Sequence, residues 1–277
     1  MRTHDIEVDG IRLQYAEAGD GPALVFLHGL SATHANWEFT LPAFADRWRV
    51  IAPDLPGHGG SAKPDAPYTI DFYAGVVRSL GRELGVREAV VVGNSLGGQI
   101  ALELAISYPV WTRAVVLVAP AGGWGLPVQT LRGLVARAAR PGLLRVALPW
   151  ALDRCVYDRS TPACADRRRI LAERLAHEDY PSFARAVARS LHGSMAATQA
   201  IERVNQPTLL VWGREDRLVA LAHSRRLARA MPHARLAVLD RCGHLPQVER
   251  PVEFNRILAD FLRAVEAAPL RNARGAA

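Results

Sequence analysis

The chain has 277 residues, 49% hydrophobic and 22% charged, the balance of a soluble globular enzyme with one α/β domain plus an insertion, or two small domains. Its net charge of +7 is concentrated in residues 124–203, where thirteen arginines face seven acids. Those arginines are spread and belong to no nucleic-acid motif, so they read as solvated helix faces, with steering of anionic substrates as the sharper alternative.

The amino terminus, MRTHDIEVDG, is charged and lacks the apolar segment of a secretory signal. The apolar run 114–128 is interrupted by Pro120 and glycines and is too short to span a bilayer. Cys155, Cys164 and Cys242 lack metal-ligand spacing and read as free thiols in a reducing compartment. The expectation is a cytoplasmic protein without integral membrane association, metal or cofactor, acting on a small molecule, with an oligomer compatible with the sequence.

Residues 5–9 and 11–18 alternate apolar and polar about Gly10 and predict an antiparallel pair. ALVFL at 23–27 predicts a covered strand ending in His28-Gly29-Leu30, and a helix is expected over 36–46. The strand 49–52 runs into APDLPGHGGSAKP, a loop rich in Pro and Gly. Phe72, Val76, Val77 and Leu80 give a helix over 70–84. Val90, Val91 and Val92 form a β-branched run suited to a sheet covered on both faces, followed by a helix over 96–108 ended by Pro109. AVVLVA at 114–119 is the next covered strand.

The alternation then stops: residues 122–203 carry helical patterns, punctuated by Pro141 and Pro149, and no convincing covered strand. It resumes with strands at 207–213 and 234–239 enclosing a helix over 221–230. The last helix starts at Pro251 and lines up Phe254, Ile257, Leu258, Phe261, Leu262 and Val265 on one face. The pattern is α/β: a mostly parallel sheet of about eight strands, covered by helices on both faces. Residues 1–121 and 204–266 form the core, 122–203 a helical cap inserted after the sixth strand, and 267–277 a disordered tail. The cap is expected over the carboxyl ends of the strands, where such sheets bind ligands.

The stretch AVVVGNSLGG places Ser95 between strand and helix in the pattern G-x-S-x-G, with Gly93 and Gly97. A turn that sharp crowds the backbone and needs small residues two positions either side of the serine, whose hydroxyl it lifts above the sheet. N–H groups at the following helix start can stabilise negative charge there. A serine hydroxyl needs a base, and the base an orienting group. His244, in DRCGHLPQVERP after the final strand, is the base candidate; Asp216, in GREDRLV, is the acid candidate, with Glu215 beside it as competitor. The order Ser95, Asp216, His244 is one of three known triad orders.

With HG at 28–29, DLPGHGGS at 54–61, GNSLGG at 93–98, GREDRLV at 213–219 and CGHLPQVERP at 242–251, the chain resembles the α/β-hydrolase fold superfamily up to about residue 265. The resemblance implies Ser95 as nucleophile, His244 as general base and acid, and Asp216 as the orienting carboxylate. It implies an oxyanion hole from the N–H groups of Leu30 and Leu96, with Gly29 allowing close approach. Serine as nucleophile implies an activated carbonyl substrate, most simply a small or medium apolar carboxylic ester.

The segments ANW (35–37) and PAGGWG (120–125) are similar to those of meta-cleavage product hydrolases, which split a carbon–carbon bond, although Leu245 stands where those enzymes carry an aromatic residue. Asn36, Trp37, Trp124 and Leu245 are therefore candidate substrate contacts. A cofactor-free haloperoxidase or perhydrolase, and a receptor-like ligand binder with little turnover, are the other readings.

Overall fold

The computed structural model describes residues 1–122, 141–196, 200–231 and 233–267. Trp124 and most of the expected disordered tail (268–277) lie outside them. Eight strands form one sheet: β1 (Arg2–Val8), β2 (Ile11–Ala18), β3 (Ala23–Leu27), β4 (Arg49–Pro53), β5 (Ala89–Asn94), β6 (Thr112–Val118), β7 (Thr208–Gly213) and β8 (Ala234–Leu239), in spatial order β1-β2-β4-β3-β5-β6-β7-β8. Only β2 runs against the others; β4, β3 and β5 to β8 are parallel.

Consecutive valines divide between the two faces of this sheet, since successive side chains of a strand point in opposite directions. Val91, Leu27 and Leu117 pack with Tyr73 and Val77 of α2 (Ile70–Glu83), Ile100 and Leu104 of α3 (Leu96–Ser107), and Leu227 of α7 (Ala222–Ala230). Val90, Val92 and Phe26 pack on the other face with Leu41 and Phe44 of α1 (Leu41–Phe44) and with Phe254, Leu258 and Phe261 of α9 (Pro251–Ala267). Each fully buried side chain of this size contributes about 1.5–3 kcal/mol. Two covered faces explain why the strands read as continuous apolar runs.

Between β6 and β7 the described chain is helical: α4 (Pro141–Cys155), α5 (Pro162–Ala176) and α6 (Tyr180–Ala196) share a separate cluster of Leu144, Leu148, Leu171, Tyr180, Phe183 and Val187. Their arginines are largely paired: Arg168 with Asp153, Arg169 with Asp166 and Glu173, Arg174 with Asp179. Among the described residues no helix is long and apolar enough to cross a membrane, and the three cysteines are free.

Two local expectations are corrected. No helix spans 36–46; a 3-10 turn, His34–Trp37, capped by the Thr33 side chain, is followed by the four-residue α1. Pro42, in the first turn of α1, has no N–H to continue an earlier helix, and Trp37 turns inward between Phe26 and Phe254. Conversely, α4 runs through Pro149. Leu144 and Leu148 fix its inner face, whereas Arg145 and Pro149 are on the exposed face, where the helical bond that the proline cannot donate is missing outside the packed interior.

His58 is fully buried, donates Nδ1–H to the Pro56 carbonyl at 3.1 Å, and packs against His28, Tyr73 and Phe183. Burial, with His28 adding to it, pushes its pKa down to about 3, and burial lowers that of His28 too. The unfolded chain therefore binds protons that the folded one refuses. The stability His58 contributes is whole above pH 6.5 and is lost as pH falls toward 3, by up to about 1.4 kcal/mol per pH unit, and His28 acts in the same direction. His34, raised by its hydrogen bond to Asp54, acts oppositely and only above pH 6.5. Thermal melts across pH 7 to 4 should show a falling midpoint whose slope is reduced in His58→Phe; an equal slope in that variant would refute the assignment.

Candidate active site

At the end of β5 the chain reverses into α3 through Ser95, whose φ of 55° and ψ of −113° lie outside the favoured regions. A non-glycine residue in such a conformation costs about 1–3 kcal/mol and persists only when its surroundings over-determine it. Here Ser95 N–H donates to Val118 at 2.9 Å, and its carbonyl accepts from Gly98 and Ala121, both at 3.0 Å. The neighbours must be small. A Cβ on Gly93 would collide with the Gly97 carbonyl, one on Gly97 with the Leu27 carbonyl, and one on Gly29 would lie 3.3 Å from Ser95 Cβ. Leu96 opens α3, so its N–H is among the first four, which have no intrahelical acceptor.

His244 sits in the loop after β8, buried, with Nδ1 at 2.7 Å from Asp216 Oδ2. Asp216 follows β7, and its Oδ1 accepts from the N–H groups of Leu218 (2.8 Å) and Val219 (2.9 Å). A carboxylate only accepts, so Nδ1 carries a proton, and in a neutral imidazole the lone pair is then on Nε2. Glu215 is turned away; its Oε2 accepts from Cys242 N–H at 2.9 Å. Of the two acid candidates, Asp216 is the one that touches His244.

Ser95 and His244 face one cavity of about 420 Å³, together with Gly29, Leu30, Asn36, Leu96 and Leu245. The inserted helices close it with Leu148, Ala151, Leu152, Ile170, Leu171 and Leu191. Trp37, expected at the substrate, is instead fully buried in the core under this site. Trp124 lies outside the described residues. The loop 54–61 does framework work: Asp54 accepts from His34 N–H and Gly60 N–H, and Leu55 N–H donates to His28 Nε2.

Asn94 is a residue that motif reading passes over. Its Nδ2 donates to the carbonyls of Val118 (3.1 Å) and His244 (3.2 Å), and its Oδ1 accepts from Asn36 Nδ2 at 3.3 Å. One fully buried side chain thus ties the serine turn to the histidine loop and to Asn36. The available signal is its polarity at the end of an otherwise apolar strand, since a buried amide must be satisfied.

A sheet of this topology, a strained strand–helix serine and a histidine–carboxylate pair at its carboxyl edge define a class. The model of the alpha/beta hydrolase family matches residues 24–257, and the chain belongs to that family. It is 33% identical to a 2-hydroxymuconate semialdehyde hydrolase of Pseudomonas sp. (strain CF600), over 96% of this chain and 95% of that one. It is 32% identical to a 2-hydroxy-6-oxo-6-phenylhexa-2,4-dienoate hydrolase of Burkholderia cepacia, over 92% of each. Among solved structures, a meta-cleavage product hydrolase from Pseudomonas fluorescens IP01 superposes with a TM-score of 0.76 at 28% identity, covering 94% of this chain and 97% of that one. A structure described as an N-acyl homoserine lactone degrading enzyme gives 0.78 at 32% identity, covering 93% and 100%. The chain is therefore a hydrolase.

The glycine contacts predict opposite signs at two helical positions. Gly97→Ala should destabilise by about 1–3 kcal/mol, because backbone rather than a movable side chain blocks the new methyl. Gly75→Ala, in α2 with nothing within 4 Å of the added Cβ, should stabilise by about 0.5–1 kcal/mol. Urea unfolding of both variants checks this, and matching signs would contradict the packing described.

Proposed function

We propose that the protein is a serine hydrolase in which Ser95 is the nucleophile, His244 the general base and acid, and Asp216 the group that orients His244. The carrying observation is the 2.7 Å contact between His244 Nδ1 and Asp216 Oδ2 behind a serine turned into the same cavity. Ser95 Oγ attacks a substrate carbonyl and passes its proton to His244 Nε2. The developing oxyanion takes the N–H groups of Leu30 and Leu96. His244 then protonates the departing oxygen, takes a proton from water as the resulting hydroxide attacks the acyl carbon, and returns that proton to Ser95 Oγ as the acid leaves. In this reading residues 122–203 are a cap that excludes water and shapes the acyl pocket.

The cavity lining favours a neutral, mostly apolar carboxylic ester of small or medium size. Its two described cations are already engaged. Arg167 donates to Glu38 and to the carbonyls of Ala35 and Ala163, and Arg169 pairs with Glu173 and Asp166. A substrate carboxylate would have to displace one of these partners. A second reading is carbon–carbon hydrolysis of a dienoate, favoured by the names of the relatives from Pseudomonas and Burkholderia cepacia.

Initial rates on p-nitrophenyl esters of increasing acyl length, beside an N-acyl homoserine lactone and one meta-cleavage dienoate, test the choice. Faster turnover of esters is expected; preference for the dienoate would move the assignment to the second reading. Ser95→Ala should abolish turnover and labelling by a fluorophosphonate while leaving the melting midpoint close to wild type. Asp216→Asn should lower kcat by about 10⁴-fold, by favouring the wrong His244 tautomer; near-normal rates in that variant would sink the triad.

A further inference from the structure

The backbone N–H and the carbonyl of His244 are held by different parts of the molecule. Its carbonyl accepts from Asn94 at the serine turn, 3.2 Å away, and its N–H donates to the carbonyl of Cys155, at the end of α4, at 2.5 Å. The second of these joins the histidine loop to the inserted helices, and one carboxylate reinforces it. Glu249, the last residue of α8 (Pro246–Glu249), accepts at Oε1 from Gly243 N–H (3.0 Å) and Leu245 N–H (3.2 Å), the residues flanking His244. Its Oε2 accepts from Tyr157 N–H at 2.6 Å, just beyond α4.

From the fourth position of α8, one beyond the capping-box position, Glu249 reaches back to the N–H of the N-cap Leu245. The bond to Tyr157 has no part in capping α8; it fastens a second chain segment to the same group. That segment lies against the loop closely enough to require a glycine: a Cβ on Gly243 would lie 2.5 Å from the Cys155 carbonyl and 3.0 Å from Tyr157 N. Val156, Cys164, Leu245 and Val248 seal the junction as one apolar cluster. Both oxygens of Glu249 must accept, so an amide of the same shape cannot replace it: glutamine has one acceptor oxygen, and its NH₂ would face an N–H on one side or the other.

We infer that Glu249 is a positioning residue, whose carboxylate locks the tail of α4 to both flanks of His244 so that docking of the inserted helices and the aim of the imidazole at Ser95 are set together. The inference rests on the proposed roles of Ser95 and His244.

The test is kcat per active site, with active sites counted by fluorophosphonate labelling of Ser95, in wild type, Glu249→Gln and Glu249→Ala, well below each melting midpoint. A misplaced base should cost about 10–100-fold in kcat, more in the alanine than in the glutamine variant, with KM changed much less. If kcat per labelled site in both variants stays within about twofold of wild type while only the melting midpoint falls, Glu249 is merely structural and the inference is overturned. Hydrogen exchange of the wild-type protein supplies an arm that needs no variant. The amides of Gly243, Leu245 and Tyr157 should be protected together, and a freely exchanging Tyr157 amide beside protected loop amides would overturn the inference as well. Folded wild type that takes no label at Ser95 would instead overturn the proposed function, and the inference with it.

Discussion

The reversal at Ser95 is the constraint on which the rest of the site depends. A side chain forced to φ 55° is stable only because three parallel strands end beside it: β3 supplies the approach of Gly29, β6 the carbonyl of Val118, and β5 the turn itself. The strain is local and modest, about 1–3 kcal/mol, against a sheet in which each buried valine or leucine contributes a similar amount. A rigid, doubly covered sheet can therefore hold one unfavourable residue at its edge, fixed by backbone hydrogen bonds to the neighbouring strand end and the helix start. The same edge carries Asp216 after β7 and His244 after β8, so three side chains distant in sequence are positioned by one hydrogen-bonded ladder.

Around that edge, histidines with the same side chain are put to different uses by their surroundings. His58 is buried without an acid in contact, so desolvation decides and it stays neutral down to about pH 3. His28 is equally buried, and desolvation prevails over the nearby Asp54 charge. His34 is half-buried and hydrogen-bonded to Asp54, and there the carboxylate wins over desolvation. The Asp54 carboxyl is correspondingly held below its usual range although burial opposes it. His244 differs again, buried with its carboxylate partner on Nδ1 alone and a cavity on its other side.

Much of the fold was legible because covered parallel strands leave an unmistakable trace, runs such as Val90-Val91-Val92 and Leu209-Leu210-Val211 with no polar alternation. The serine turn was legible because sterics dictate glycine at 93 and 97. What escaped depends on contacts across the chain. Residues 36–46 read as one helix, yet Trp37 fills the space between Phe26 and Phe254 and Pro42 opens a separate four-residue helix. Pro149 reads as a helix break, yet α4 continues through it with the proline on the exposed face. Neighbouring carboxylates at 215 and 216 are equivalent in sequence; only the loop geometry turns one to Cys242 N–H and the other to His244. Asn94 and Glu249 find most of their partners among backbone atoms, with the Asn36 side chain as a further partner of Asn94, and backbone partners leave no trace in a sequence motif.

The excess positive charge shows how far composition can mislead about partners. Read along the chain, the arginines of 124–203 invite an anionic ligand. In three dimensions Arg168, Arg169, Arg174 and Arg189 pair with acids, and near the surface each such pair contributes at most about 1 kcal/mol and is screened by salt. Arg167 is the instructive exception. Burial lowers its pKa, with Glu38 opposing that shift, so its charge is expressed against Glu38 and two backbone carbonyls rather than into the cavity. A guanidinium held this way acts as a brace between α5 and the turn after β3. The wall it leaves toward Ser95 is built from Leu148, Leu152, Leu171 and Leu191, so the charge of the inserted helices is kept off that side of the cavity.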